Sequence, residues 1–382
     1  MRGLLISLAC SLGLSACAYT VTDMPSAPYD SLQRETRIQT GDILVKYLAA
    51  QRRLWTVAGP MMIANAPLCP RRTVTPGFTV LSDFDLPKNL QDVAYERALL
   101  SRDAVVQSVY GQDAFAAGVR AGDVLLSVDG KRVRNAADFR ARMKRRAGGE
   151  SVTYGFLREG AAYTLTLPLV DICRYRLVYL AADREINAWT DGATIYVTQG
   201  QMDFANDREL AVVFGHELAH NVMNHTQKMK LNSQVITTIG HWTDNAFDVV
   251  GFDTDFEGLS RAALSEIYGV RFEREADYAG LYLLARAGGD ITAAAPYWRR
   301  IAAEHGMDSV RLPLTETRSH PDDPERFVTL EKTRIEIEDK IRTGRELMPN
   351  LSRGYTYGQK FFWWERDNDD ADDEPDDRDL NH

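Results

Sequence analysis

Hydrophobic residues recur with two different periods along this chain. Near Val152–Leu157 and Tyr163–Leu167 they alternate with polar residues, which is the period of a half-buried β-strand. Between Leu210 and Val222 they recur every three or four positions, which is the period of a helix with one buried face. The two patterns occupy different parts of the chain. The sequence therefore predicts an α+β protein, with a mostly helical domain, a small edge sheet and a separate strand-rich domain.

Two further helices follow from the same periodicity. Apolar residues between Ile43 and Leu54 predict an N-terminal helix that packs on the main body of the protein. A second pattern runs through Ala279 and Leu284 and ends at Gly288-Gly289, a pair typical of a helix terminus. About 350 residues remain after a signal segment is removed, and that length favours two domains.

The first 17 residues have the pattern of a targeting segment. Arg2 precedes a short apolar run, Leu4–Leu14, that is too short to span a bilayer comfortably. The run ends in Leu14-Ser15-Ala16-Cys17, which resembles a bacterial lipobox, and Cys17 would carry the lipid. Ala18, where Asp would retain the protein in the inner membrane, favours the outer membrane by the same resemblance. We therefore expect a lipid-anchored protein on the periplasmic side of the cell envelope. An ordinary cleavable signal is the alternative.

Cysteine usage agrees with an oxidising compartment. Of four cysteines, Cys10 would leave with the signal and Cys17 would be acylated, so Cys69 and Cys173 remain as a possible disulfide. Such a bridge would close a loop of about 100 residues and contribute at most roughly 4–5 kcal/mol of stability. Two unpaired buried thiols are the alternative.

The charge of the chain is concentrated at its C-terminal end. The formal net charge is −9, and residues 365–382 alone carry −8. This composition predicts an acidic, disordered tail over residues 346–382, which serves solubility or binds a cation or a basic partner. No basic stripe with interleaved aromatic residues indicates nucleic-acid binding.

The motif with the most specific chemistry is His216-Glu217-Leu218-Ala219-His220. Histidines four residues apart on a helix lie one turn apart on the same face and can hold one metal ion. Glu217 is placed to hold a water molecule beside the ion and to take its proton, as in zinc hydrolases with the H-E-x-x-H motif. Asn206 and Glu209 have the spacing of a capping box that would begin this helix.

A catalytic zinc site needs a third protein ligand and an open fourth position. The adamalysin-like pattern would place Gly at 223 and His at 226, but Met223 and Thr226 stand there, so that class is excluded. His225 is five residues beyond His220 and would point away from the ligand face of a continuing helix. We expect it at the surface or behind a ligand.

Glu273 and Asp277 are the best candidates for completing the site. They are again four residues apart in a helical pattern, so one could bind the metal while the other braces a ligand imidazole. Taken alone, Glu273 is equally compatible with a solvated helix charge.

The chain resembles the gluzincin family that includes the heat-shock protease HtpX, the periplasmic protease BepA and the CAAX prenyl proteases. In that family H-E-x-x-H is followed by E-x-x-A-D on a later helix, and Glu273, Ala276 and Asp277 match this second motif. The resemblance implies a zincin-like peptidase core over residues 171–345. It also implies one Zn²⁺ per chain, held by His216, His220 and Glu273.

The same resemblance covers segments on either side of these motifs. Ile186–Trp189, Gly192 and Ile195–Val197 match a strand, a turn and an edge strand that leads to the zinc helix. An edge strand beside the metal could bind an extended peptide through main-chain hydrogen bonds. Ser319-His320-Pro321 and Arg326 match a late His-Pro segment followed by Arg.

His320 has three possible roles. The resemblance places it near the metal, where it could stabilise an oxyanion or occupy the fourth position and hold the enzyme latent. Its neighbours Pro321 and Pro324 are equally compatible with a plain turn histidine. Arg326 would assist His320 or support the site.

A second resemblance concerns residues 95–170. Ala117–Gly130 is similar to the core of a bacterial PDZ domain, which is a β-sandwich or barrel that binds peptides at a sheet edge. The glycine-containing carboxylate loop is expected before the first strand, and the residues expected there, Leu100–Ala104, contain no glycine and include Asp103. The pattern therefore favours docking to the peptidase body or to a partner as much as it favours peptide capture.

Residues 30–75 would then belong to the peptidase domain, with PDZ inserted into it and Cys69 and Cys173 clamping the insertion point. The segment 228–270, with phenylalanines between glycines, predicts either a lid over the site or packed helices.

Together these patterns predict a zinc metalloendopeptidase that cleaves proteins of the cell envelope, in protein quality control. Glu217 and His320 are the catalytic candidates. A chaperone or assembly factor with a latched protease fold, and a scaffold that binds through PDZ, are the alternatives.

Overall fold

The computed structural model of the protein describes residues 25–229, 256–304 and 324–350. The predicted signal segment with Cys17, the candidate His320 and the acidic tail beyond residue 350 lie outside these ranges. Of the predicted lid segment, the part from Phe256 onward is helical. Within the described ranges, no helix has the length and apolar character needed to cross a membrane.

The described helices and strands alternate in the mixed arrangement that the hydrophobic periods predict, so the α+β class is confirmed. The helices are α1 Tyr29–Ala64, α2 Lys88–Glu96, α3 Gln112–Ala116, α4 Ala136–Met143, α5 Gln199–Phe204, α6 Asp207–Val222, α7 Phe256–Arg286, α8 Ala294–Glu304 and α9 Pro324–Arg342. The strands are β1 Arg72–Thr75, β2 Phe78–Leu81, β3 Ala104–Val109, β4 Val124–Val128, β5 Lys131–Arg132, β6 Ser151–Arg158, β7 Ala161–Pro168, β8 Val170–Cys173, β9 Arg176–Leu180, β10 Ala188–Thr190 and β11 Thr194–Thr198.

The long helix α1 belongs to two hydrophobic cores at once. Leu54, Met61 and Met62 lie in the main helical core, whereas Leu44 and Leu48 pack with residues of α2 in a separate cluster. Arg53 donates hydrogen bonds to two carbonyl oxygens shortly before α6, that of Met202 in α5 (2.5 Å) and that of Ala205 just after it (2.5 Å). The helix therefore connects the strand-rich domain to the start of the metal-motif helix.

The strand-rich domain is a six-stranded antiparallel sheet with α4 packed beside its first strand. The strand order is β2-β3-β4-β6-β7, with β5 paired to β4. Phe78 on β2 stacks on Phe139 of α4 with 5.9 Å between ring centroids, and both rings are buried.

The position expected for the carboxylate loop was wrong. The first strand of this sheet is β2, and the residues before it are Thr75-Pro76-Gly77, so the loop does contain a glycine. Gly77 has a φ of +85°, and a Cβ built on it would lie 2.7 Å from the Cα of Gly111. Leu100–Ala104 instead leads into β3. The error arose because β2 is short and is separated from β3 by a helical insertion.

A two-stranded ribbon connects this domain to the helical body. β1 pairs with β8, and Arg72 opposes Cys173 at its outer end. Cys69, next to the ribbon, forms a disulfide with Cys173 across a sequence separation of 104 residues. The chain thus enters and leaves the sheet domain side by side, which is the geometry of an insertion.

The small sheet beside the metal-motif helix has the order β10-β11-β9. The prediction that Ile195–Val197 forms an edge strand was wrong, because β11 pairs with β9 on one side and with β10 on the other. The Asp191-Gly192 turn joins β10 to β11, so the strand exposed at this edge is β10. The order of the strands depends on the parallel pairing of β9 with β11, and the local sequence pattern does not specify that pairing.

Asp123 makes a buried charge cluster in the sheet domain, and this generates a prediction about pH. Its carboxylate, 1% exposed, accepts hydrogen bonds from Arg158 Nε (2.6 Å) and from Tyr163 Oη (2.7 Å). Burial acts to raise the pKa of Asp123, but the bonds from Arg158, the Arg120 amide and Tyr163 outweigh it and lower the pKa. Because the folded pKa lies below the unfolded value, the stabilisation is present above about pH 4 and is lost as pH falls through the folded pKa.

We expect Asp123→Asn to lower the free energy of unfolding by about 2 kcal/mol at pH 7. This deficit should shrink as the pH falls below about 4, because Asp123 of the unfolded wild-type chain then takes up a proton while the folded carboxylate is still ionised, which favours unfolding. Circular dichroism melts of both proteins between pH 3 and 7 measure the difference. A deficit that stays constant over this range contradicts the assigned role of the charge.

Candidate metal centre

Helix α6, which carries the metal motif, begins as the capping spacing predicts. Asn206 Oδ1 accepts hydrogen bonds from the amides of Arg208 (3.0 Å) and Glu209 (3.1 Å), and Glu209 Oε2 accepts from the amide of Asn206 (2.9 Å). This reciprocal arrangement satisfies backbone donors at the helix start and fixes the rotation of the first turn.

Helices α6 and α7 cross in direct backbone contact at a pair of glycines. A Cβ built on Gly215 would lie 2.8 Å from the carbonyl oxygen of Gly280, and one built on Gly280 would lie 2.8 Å from the carbonyl carbon and oxygen of Gly215. Only glycine at both positions permits this approach. His216 directly follows Gly215, so the crossing brings its imidazole to the face of α7 that carries Glu273 and Asp277.

The three predicted ligands converge on one point between these helices. The Nε2 atoms of His216 and His220 are 3.1 Å apart. Glu273 lies 3.2 Å from the first through Oε2 and 3.3 Å from the second through Oε1. His216 and His220 are buried and Glu273 is largely so. The structure therefore brings together all three residues on which the proposed zinc site depends.

The donor atoms fit a zinc ion by number, type and spacing. Tetrahedral zinc with bonds of 2.0–2.1 Å to nitrogen and oxygen needs donors about 3.3 Å apart. The two histidine nitrogens are 3.1 Å apart, and each lies 3.2–3.3 Å from one of the two oxygens of the Glu273 carboxylate, so the donor groups are spaced compatibly with one zinc ion. Two neutral imidazoles and one carboxylate are also the donor set of known catalytic zinc sites. Glu217, on the same helix, is 2% exposed.

Asp277 holds His216 from behind. Its Oδ1 lies 2.9 Å from His216 Nδ1, so the imidazole donates there and directs Nε2 toward the ligand cluster. Arg326 donates to both carboxylate oxygens of Asp277, each at 2.7 Å, and its guanidinium lies 3.4 Å from the ring centre of Trp298. These residues are buried. Arg326 thus holds the carboxylate that orients His216.

His225, which the helical projection placed away from the site, lies directly behind His220. Its Nδ1 is 3.0 Å from His220 Nδ1, and its Nε2 is 2.9 Å from Glu275 Oε2. Helix α6 ends at Val222, and Asn224 has a φ of +57°, which turns the chain back toward the site. His225 is fully buried, so the expectation of a surface position was wrong and that of a position behind a ligand is correct. The sequence signal for this turn was Asn224, because asparagine tolerates the left-handed backbone conformation better than most residues.

The electrostatics of the cluster favour a positive charge. Burial acts to lower the pKa of His216, but the carboxylates of Asp277 and Glu273 outweigh it and raise the pKa to about 10. Burial lowers the pKa of His220 to about 4, against the opposing effect of Glu273. Burial likewise acts to raise the pKa of Asp277, and Arg326 and His216 keep it low. The buried carboxylates therefore stabilise one cation at this position, whether a proton or a metal ion.

Two segments of the chain match known domain families. Residues 159–334 match peptidase family M48, and residues 84–169 match the PDZ domain. The mitochondrial metalloendopeptidase OMA1 of Schizosaccharomyces pombe is 28% identical over 153 residues, which cover 40% of this chain and 44% of that protein. The chain therefore matches less than half the length of this curated relative.

Two solved structures that are similar to this chain match it over short segments. The HtrA-type protease AlgW with a decapeptide is 22% identical over 26% of this chain and 29% of that one, with a TM-score of 0.21. An aminopeptidase N family protein from Idiomarina loihiensis is 25% identical over 19% of this chain and 12% of that one, with a TM-score of 0.18.

The glycine crossing generates a prediction. Gly280→Ala would place a methyl group within 2.8 Å of the α6 backbone, so the helices must separate and the ligand triangle must open. We expect zinc affinity to fall by at least about tenfold, as it does when ligand support is lost. Gly269→Ala, also in α7, is the matched control, because a Cβ there meets no atom of the described residues within 4 Å. Competition with a chromophoric chelator measures both, and equal affinities in the two variants contradict the role of the crossing.

Proposed function

We propose that this chain, which carries an M48 peptidase domain with an inserted PDZ domain, is a zinc-dependent metalloendopeptidase acting on proteins of the cell envelope. The observation that carries the proposal is the triangle of His216 Nε2, His220 Nε2 and the Glu273 carboxylate, with sides of 3.1–3.3 Å. All three residues lie inside the segment that matches peptidase family M48. The similarity to a mitochondrial metalloendopeptidase supports the same reaction class.

The residues of the site have distinct roles in this proposal. His216, His220 and Glu273 would hold a zinc ion, which would supply Lewis-acid chemistry to polarise the scissile carbonyl and lower the pKa of water. Glu217 accepts a proton from the attacking water and later passes it to the leaving amine. Asp277 orients His216, and Arg326 holds Asp277 ionised and in place. In this arrangement Arg326 supports the ligands from behind.

The edge strand β10 is the proposed binding surface for the substrate backbone. It lies at the end of the three-stranded sheet, where an extended peptide can add as a further strand. Thr190, its last residue, donates a hydrogen bond of 2.7 Å to Asn221 Oδ1, and Asn221 directly follows the ligand His220. This bond ties the substrate edge to the metal helix. Recognition through main-chain atoms fits an enzyme that cleaves many sequences, as protein quality control requires.

The inserted PDZ domain offers a second edge for peptides. β2 is the outermost strand of its sheet, α4 lies beside it, and the loop with Gly77 precedes it. These are the elements of a peptide-binding groove, so we propose that the domain recruits substrates or a partner protein. The sheet also packs on α1, where Gln107 Nε2 donates to the carbonyl oxygen of Leu48 at 2.9 Å. A peptide bound at β2 is therefore held at a fixed position relative to the peptidase domain.

The proposed location rests on the N-terminal sequence. Leu14-Ser15-Ala16-Cys17 supports a lipid anchor at Cys17, on the periplasmic side of the envelope and at the outer membrane. The Cys69–Cys173 disulfide is compatible with that oxidising compartment.

The test is cleavage of an unfolded model protein by wild type and by Glu217→Gln. The substitution removes the proton acceptor without a change in volume, so we expect kcat/KM to fall by on the order of 10²–10⁴-fold with one zinc still bound. Asp203→Asn, which neutralises an exposed carboxylate in the preceding helix, should leave the rate unchanged. Chelation should abolish cleavage by wild type, and added zinc should restore it.

The outcomes separate the alternatives. Zinc-bound protein without cleavage by either form would favour a latched protease fold that acts as a chaperone, with His320 as the candidate latch. A protein that binds no zinc would favour a scaffold that acts through PDZ. Equal cleavage by wild type and Glu217→Gln would exclude Glu217 as the proton acceptor.

A further inference from the structure

The two ligand histidines are supported from behind by different chemistry. His216 donates to Asp277, a fully charged partner that is itself held by Arg326. His220 instead contacts another imidazole, that of His225, and the two Nδ1 atoms are 3.0 Å apart. Phe272 stacks on His225 with 4.6 Å between ring centroids, so the imidazole is confined in its plane.

The positions of the protons on His220 and His225 follow from which ring nitrogens can donate a hydrogen bond. A zinc-ligating His220 uses the Nε2 lone pair for the metal, so its proton resides on Nδ1. His225 Nδ1 must then accept that proton's hydrogen bond, which requires His225 to carry its own proton on Nε2. Glu275 Oε2, 2.9 Å from His225 Nε2, is the acceptor that holds it there. Hydrogen bonds are therefore donated from His220 to His225 and from His225 to Glu275, and only in that direction.

We propose that His225 is a positioning residue of the metal centre, which fixes the tautomer and ring orientation of His220, and that Glu275 sets the tautomer of His225. The inference rests on the proposed metal site but not on peptide cleavage. It gives each ligand histidine its own support: a buried ion pair behind His216, and behind His220 a relay that ends at a carboxylate with 46% of its side chain exposed. The His220 side is therefore the one whose support reaches solvent.

Two substitutions at position 225 distinguish positioning from packing. His225→Phe keeps a ring that stacks on Phe272 but removes the acceptor for His220. His225→Asn removes the stacking but places Oδ1 where Nδ1 was, so the acceptor remains. If His225 positions His220, zinc binding should weaken by about 10–100-fold in the Phe variant and by less than about threefold in the Asn variant. If His225 serves packing alone, the order is reversed.

Zinc affinity is measured on the full chain by competition with a chromophoric chelator. In parallel, NMR of protein with ¹⁵N-labelled histidine reports the His220 Nδ1 proton in the zinc-loaded state. We expect this proton to be protected from exchange in wild type and His225→Asn and to exchange faster in His225→Phe.

Glu275 provides a second test, and because its side chain is partly exposed, substitutions there are less disruptive to folding than substitutions of the buried His225. Glu275→Gln retains an acceptor for His225 and should bind zinc as wild type does, whereas Glu275→Ala should bind it several-fold more weakly. Asp203→Asn, at an exposed position in α5, is the control and should have no effect. Wild-type affinity in both His225→Phe and Glu275→Ala overturns the proposal. A wild-type protein that binds no zinc overturns the metal site itself, so the two failures are distinguishable.

Discussion

The contact between Gly215 and Gly280 is the constraint from which the geometry of the site follows. Helices α6 and α7 can approach until backbone touches backbone only because neither residue has a Cβ. His216 and His220 extend from one helix and Glu273 and Asp277 from the other, so their spacing depends on that approach. A metal site with donors 3.1–3.3 Å apart tolerates little change in interhelical distance. The glycine pair sets the distance between the two helices, and this distance determines how closely the side chains of His216, His220 and Glu273 approach one another.

Support for that geometry comes from elements that are far apart in sequence. Arg326 on α9 fixes Asp277, Asn206 fixes the first turn of α6, and Arg53 on α1 holds the carbonyl groups just before it. The buried pair of Asp277 and Arg326 would be costly if either partner were lost, because an unpaired charge would remain in the core. The Asp277–Arg326 pair has both of its hydrogen bonds only in the native arrangement, so this pair favours one structure at the site.

Much of the site follows from local sequence patterns, and the remainder depends on tertiary structure. Four-residue spacing on one helix is enough to place His216 and His220 together, and the E-x-x-A-D resemblance suggests Glu273 and Asp277. Gly215 and Gly280 carry no such signal, since a glycine inside a helical pattern does not reveal which partner helix approaches it. Of the two positions expected for His225, the one behind a ligand is correct, and the helical projection did not decide between them because it continued a helix that ends at Val222. The strand β11 was wrongly expected at the edge of its sheet, because its parallel pairing with β9 depends on the tertiary fold and not on the local sequence.

The most direct measurement of the central claim is a crystal structure of the zinc-loaded protein with data collected at the zinc absorption edge. The account predicts one anomalous peak, within about 2.0–2.2 Å of His216 Nε2, His220 Nε2 and a Glu273 carboxylate oxygen. A peak bound by the two histidines with Glu273 beyond bonding distance would contradict it, as would a metal held at a different set of residues.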